Sequence, residues 1–207
     1  MLIKRKKYIN YNQQFIQVNM KTVLSLTGRL AYKLMKWDFE PLPDYFSNRH
    51  VIIGFPHTTN MDTIRAFFGF KIVKRTGHIM VKKEWFFWPM SRVLSAIGGI
   101  PVFRDTPQGV VGQMVTMFGE RSHFLLAIVP EGTRKGVTTI KTGFWHIAKD
   151  ADVSIICWYL DNDNKTTRWL GEVVPGDDKV QDMKTIREIY EAAGYKFPLE
   201  VTTLSNN

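Results

Sequence analysis

Along the first part of the chain the apolar positions change period. Val23, Leu26, Leu30, Leu34 and Trp37 recur at steps of three and four, with Lys21, Ser25, Arg29 and Lys36 roughly opposite. That spacing predicts an amphipathic helix, which Glu40-Pro41-Leu42-Pro43-Asp44 then breaks. Val51 to Phe55 is apolar and largely β-branched, the pattern of a strand covered on both faces, as in a parallel sheet. Pro56 stops the strand by removing a backbone donor, and Thr59 or Asn60 offers an N-cap for a helix from about Asp62 to Lys74.

The alternation continues to the end of the chain. Strands are expected over His78 to Lys82, Ile100 to Phe103, Phe124 to Val129 and Val153 to Leu160, with a short one at Glu172 to Val174. Helices are expected over Trp88 to Ile97, Gln108 to Arg121, Lys141 to Lys149 and Lys179 to Ala193. Pro89 suits a first helical turn, while Gly98-Gly99 and Gly194 suit helix ends. This order predicts an α/β fold: a mainly parallel sheet flanked by helices and preceded by the N-terminal amphipathic helix. With 207 residues, 44% of them hydrophobic, and no low-complexity linker, the chain can bury one substantial core. The expected organisation is a basic amphipathic helical segment over residues 1–40 and one α/β domain over residues 41–207.

Charge adds a partner to this picture. The net charge is +9, and eight of the 28 Lys and Arg lie in the first 36 residues, where there is no acid. The remainder is nearly neutral. Apolar residues inside the basic segment favour an anionic membrane surface over nucleic acid as its partner. The leucine stripe admits two placements, on the protein's own core or in a bilayer interface, and the one-sided charge with Trp37 at the end favours the second. No run of 18 apolar residues predicts a membrane span, and polar Asn10 to Gln14 after Lys4 to Lys7 does not read as a signal peptide. The single cysteine, Cys157, lies in the apolar run Ser154 to Leu160, reads as core and suits a reducing compartment. The expected location is cytoplasmic, peripheral on the inner face of the cell membrane.

Three predicted strand ends carry unusual polar groups. His57 and Asp62 follow the first, Arg104 follows Phe103, and Pro130-Glu131-Gly132-Thr133-Arg134-Lys135 follows Val129. In a parallel sheet these ends share one edge, where open α/β sheets place their ligands. His57 in a bend and Asp62 in the first helical turn can approach each other, and the carboxylate can then orient the ring and support the imidazolium. Taken singly, each feature has a plainer reading: a helix cap beside an incidental histidine, a solvated arginine. Together, a histidine base, several cations and a glycine turn with free amides meet the needs of transfer to a hydroxyl of an anionic acceptor. Nucleophile-elbow, phosphate-loop, dinucleotide and zinc-protease patterns are absent, and His50, His78, His123 and His146 lack metal-ligand spacing, so no metal is expected.

These residues resemble the glycerolipid acyltransferases typified by bacterial 1-acyl-glycerol-3-phosphate acyltransferase. His57-Thr58-Thr59-Asn60-Met61-Asp62 is similar to that family's His-x4-Asp block and Gly99-Ile100-Pro101-Val102-Phe103-Arg104 to its second block. Pro130 to Arg134 matches its Pro-Glu-Gly-Thr-Arg block, with Lys141-Thr142-Gly143 following. Order and spacing agree over about residues 50 to 160. One departure stands out: Val153-Ser154-Ile155 replaces the usual Val-Pro-Ile, which predicts a difference in that part of the site.

The resemblance implies that His57, oriented by Asp62, deprotonates an acceptor hydroxyl, which attacks the thioester of acyl-CoA or acyl carrier protein. The donor is a substrate, and no cofactor is implied. It also implies that Arg104, Glu131, Gly132, Thr133 and Arg134 bind the acceptor, with Lys141 assisting. The expected acceptor is the lysophospholipid 1-acyl-glycerol 3-phosphate. Glycerol 3-phosphate, another lysolipid or a lyso amino-acid lipid are alternatives within the same chemistry, and a non-catalytic basic module binding membrane or nucleic acid is an alternative outside it. Trp85-Phe86-Phe87-Trp88 is expected to pack, or to line a path for an acyl chain, rather than to bind a cofactor.

Overall fold

The structure, a computed structural model, describes residues 22–55, 60–103, 107–130 and 140–195. Its centre is β2 (Arg49–Phe55), every residue of which beyond Arg49 is buried. Alternate side chains go to opposite faces of a strand, so Val51, Ile53 and Phe55 enter one apolar cluster and Ile52 enters another. A strand apolar on both faces needs a layer on each side, and helices supply both.

Seven strands form one sheet in the order β1-β7-β6-β2-β5-β3-β4. They are β1 (Asp38–Phe39), β2, β3 (Gly77–Lys82), β4 (Gly99–Val102), β5 (Phe124–Ile128), β6 (Ile155–Asp161) and β7 (Thr166–Val173). All neighbouring pairs are parallel except β6 with β7. A helix spans 22–35 (α1), followed by α2 (Asn60–Ile72), α3 (Met90–Ala96), α4 (Pro107–Glu120), α5 (Gly143–Asp150) and α6 (Lys179–Ala192). One face of the sheet is covered by α4, α5 and α6, through residues such as Met114, Phe118, Phe144, Ile147, Ile186 and Tyr190. The other face carries α1 and α2, through Tyr32 and Phe70 against Leu125, Ile156 and Trp158.

The α/β expectation holds, with the sheet broader than expected. β7 runs for eight residues, where only a short strand at Glu172 to Val174 was expected, and it forms an antiparallel hairpin with β6. Asp161 makes the turn: its carboxylate accepts from the backbone amide and the side-chain amide of Asn164. β1, which no periodicity marked, exists because Asp38 and Phe39 find an open edge on β7. Cys157 is buried as expected, and that burial pushes its thiol pKa up.

One buried hydroxyl ties α6 to the sheet. The Tyr190 hydroxyl lies 2.8 Å from the Ile53 carbonyl and 3.0 Å from that of Trp158, where β6 carries a register irregularity against β7. Tyr190→Phe keeps the ring and leaves these buried acceptors one donor short. It is expected to cost about 1–3 kcal/mol in urea unfolding with no change in activity of the folded protein.

The helix 22–35 docks by the face opposite its leucine stripe. Ser25, Gly28 and Tyr32 are buried against α2. The Ser25 hydroxyl donates to the Ile72 carbonyl at 2.9 Å, and the Tyr32 hydroxyl donates to the Arg65 carbonyl at 2.9 Å. A Cβ on Gly28 would stand 2.8 Å from the Phe68 carbonyl oxygen, so only glycine permits this approach. Leu26, Leu30 and Leu34 face outward instead, Leu34 at 75% exposure. Of the predicted apolar stripe, only Trp37 turns inward.

Candidate active site

The parallel strands β2, β4 and β5 end on one edge of the sheet, and each predicted block follows one of these ends in the chain. β2 ends at Phe55 and α2 begins at Asn60, so His57 belongs to the four residues between them, which lie outside the described residues. Arg104 follows β4, and Glu131, Gly132, Thr133 and Arg134 follow β5; all five lie outside the described residues too. In strand order β2 and β5 are adjacent, and β4 stands two strands beyond β5. The carboxyl ends of β2 and β4 are therefore separated by about 14 Å, three strand spacings. Pro130 and Lys141 meet, the Lys141 amide donating to the Pro130 carbonyl at 3.2 Å, and Ile140 is buried in the core. Lys141 itself is exposed at that junction.

Asp62 is fully placed. It sits in the first turn of α2 at 2% exposure, and its Oδ1 accepts from Arg65 Nη1 at 2.8 Å. Helical residues three apart share a face, which is why the pair meets. The Arg65 guanidinium lies 4.0 Å from the centre of the Trp37 ring, a cation–π contact worth about 0.5–2 kcal/mol. Tyr32 accounts for the Arg65 carbonyl, and burial pushes the pKa of the Tyr32 hydroxyl upward, so it remains a donor. Asp62 is thus oriented by a chain of contacts reaching back through Arg65 to Trp37. Arg65 was missed in the sequence, where its signal was its position three residues after Asp62.

Under α2 lies a cavity of about 380 Å³ that only the tertiary structure reveals. Asp62 and Thr63 line it, and the rest of its wall is apolar, including Ile52, Gly54, Phe67, Ile79, Ala127 and Ile128. The Trp158 indole N–H, which has no partner among the described residues, belongs to a ring that also lines it. Asp62 and Phe70 both face this space, and on one helix they lie about 12 Å apart along the axis. A chain-shaped apolar ligand with its polar end at Asp62 fits a space of this size and lining.

Ser154 stands before β6 at the level of Val51, whose amide its carbonyl accepts at 3.1 Å, four residues, about 13 Å, from the edge where β2 ends. One expectation changes at this point. Trp85, Phe87 and Trp88 neither pack in the core nor line the cavity: they are exposed, because β4 is an edge strand and α3 contributes no buried residue. His50 has a structural role, its Nε2 accepting from the Ser47 amide, and burial lowers its pKa.

The chain matches the Acyltransferase family over residues 38–161, more than half its length. No curated protein matches it in sequence. Among solved structures it is similar to the 1-acyl-sn-glycerophosphate (LPA) acyltransferase PlsC from Thermotoga maritima, with a TM-score of 0.58 and 16% identity over 94% of this chain and 83% of that one. At this identity the likeness is one of fold.

Proposed function

Because the chain belongs to the acyltransferase family, we propose that it moves a fatty acyl group from an acyl thioester to the hydroxyl of a lysophospholipid, 1-acyl-glycerol 3-phosphate in the first instance. The observation that carries this reading is the apolar cavity under α2 with Asp62 in its wall. Each methylene taken from water contributes about 0.8 kcal/mol, so such a space favours an acyl chain over a small polar donor.

In this reading His57 takes the proton of the acceptor hydroxyl as its oxygen attacks the thioester carbonyl. The tetrahedral intermediate collapses with loss of the thiolate, which receives the proton from the imidazolium, and no covalent acyl-enzyme forms. Asp62 orients the imidazole and supports its charge; its bond to Arg65 favours that role because it restricts rotation of the carboxylate. Backbone amides around Gly132 serve the oxyanion. Arg104, Glu131, Thr133 and Arg134 bind the acceptor head group, with Lys141 assisting and the arginines facing phosphate. The donor is acyl-CoA or acyl carrier protein, and the chemistry needs no metal or cofactor.

The same reading puts the protein on the inner face of the membrane. No helix among the described residues is long and apolar enough to cross a bilayer. The outward leucines of α1, with exposed Arg29, Lys33 and Lys36 on the same helix or just after it, support a helix lying in the interface.

Thiol release from acyl-CoA and from acyl carrier protein, measured with lysophosphatidate, glycerol 3-phosphate, other lysolipids and a lyso amino-acid lipid, tests the assignment. Lysophosphatidate is expected to give the highest kcat/KM; preference for another acceptor would move the assignment to that lipid. The cavity has its own test. Ala127→Leu fills space equivalent to a few methylenes and is expected to lower kcat/KM for long-chain thioesters about ten-fold while sparing short-chain ones. Equal loss at every chain length would remove the cavity from the acyl path.

A further inference from the structure

Trp85-Phe86-Phe87-Trp88 follows the carboxyl end of β3, on the sheet edge that β2 and Asp62 share. Trp85 and Phe87 are each 56% exposed and Trp88 is 78% exposed. Phe103, just past β4, is exposed beside them, with Lys83 Nζ 4.8 Å from the centre of its ring. The parallel register, Lys82 opposite Val102, sets the two strand ends side by side. The segment from Lys82 to Arg92 is basic, with three exposed cations against the single acid Glu84.

Three large aromatic side chains clustered in water are unfavourable unless something covers them. Indole suits the headgroup region of a bilayer, where its ring is shielded and its N–H stays hydrated, and flanking lysines are drawn to anionic lipid. We propose that the Trp85–Trp88 loop, with Phe103, is a second contact with an anionic bilayer and holds the carboxyl edge of the sheet against the membrane. This inference rests on the membrane-bound acyl transfer proposed above and goes beyond it. One amphipathic helix leaves a protein free to tilt, whereas two separated contacts fix its orientation. The carboxyl end of α1 lies toward the same edge, since Tyr32 and Trp37 both meet Arg65 in the first half of α2. A lipid acceptor then needs to travel only from the headgroup layer to that edge.

The chain carries its own reporter. Of its six tryptophans, Trp37, Trp145, Trp158 and Trp169 are buried, so Trp85 and Trp88 are the two that lipid can reach. With the full chain on phosphatidylcholine–phosphatidylglycerol vesicles, brominated acyl chains are expected to quench tryptophan emission. Trp85→Phe with Trp88→Phe is expected to keep vesicle affinity and abolish the quenching. The triple change Trp85→Ser, Phe87→Ser and Trp88→Ser alters only exposed side chains and is expected to weaken vesicle binding about ten-fold or more. A variant with Leu26, Leu30 and Leu34 each changed to Glu separates the two contacts. If that variant loses affinity while the serine variant binds as well as the intact chain and no quenching is seen, the loop contact is overturned and the membrane reading stands. If the intact chain ignores anionic vesicles, both fall. Unchanged vesicle affinity in the serine variant, with turnover lost from acyl carrier protein but not from acyl-CoA, would assign the patch to the carrier and overturn the proposal.

Discussion

His57→Ala is expected to fold normally and to lose roughly 10²- to 10⁴-fold in turnover, the range that removal of a general base produces. Asp62 is a buried carboxylate at the start of the helix that follows β2, its Oδ1 held by Arg65. Arg65 compensates its charge and fixes its orientation, which is what a carboxylate that orients an imidazole requires. Asp62→Asn retains shape and removes charge, so it is expected to lose less than His57→Ala. The pH profile distinguishes a base from a residue that merely packs. Imidazole accepts a proton only when neutral, so a histidine base gives a rate that falls at acid pH. Loss of the Asp62 charge makes the imidazolium less favourable, so in Asp62→Asn that limb should move to lower pH. Folded His57→Ala protein with near-normal turnover would end the base assignment.

Arg104→Ala is expected to raise KM for lysophosphatidate by roughly ten- to a hundred-fold while leaving KM for the acyl donor nearly unchanged. A guanidinium opposite a phosphate in a partly dry crevice makes charge-assisted bonds worth about 1.5–3 kcal/mol, which sets that factor. The thioester end of the donor has no such charge. Arg104→Lys should recover part of the loss, because an ammonium keeps the charge without the planar fork. Steady-state kinetics with both substrates varied gives the split directly. A preferred acceptor whose KM does not respond to Arg104→Ala in folded protein would rule out phosphate recognition at this position and favour a phosphate-free acceptor.

The elements legible in the chain were those whose environment is local or uniform. β2 is buried on both faces, so Val51 to Phe55 reads as a continuous apolar run whatever packs against it. The shared edge of β2, β4 and β5 was likewise readable, since a parallel sheet sends all such ends to one side. β7 was not, because only alternate residues are covered and Thr166, Arg168 and Glu172 dilute its pattern. Its signal lay in the turn Asn162 to Lys165, flanked by two β-forming runs. For α1 the period and the outward leucine stripe were legible, but the face that docks was not. Hydrophobicity points to the leucines, but a close helix crossing needs small side chains, and Ser25 and Gly28 provide that against α2. The aromatic loop was misplaced for a related reason: composition says that Trp85 and Trp88 are apolar, and only the sheet order, which puts β4 at an edge, leaves them exposed among the described residues. The cavity is the extreme case. Its volume depends on Gly54 and Ala127 on one side and Phe67 on the other, a gap set by residues 73 positions apart or fewer along the chain but joined only through the sheet. Periodicity reports which side of an element avoids water, whereas the distance between two elements is set by the side chains that meet there, and those meet only in the folded chain.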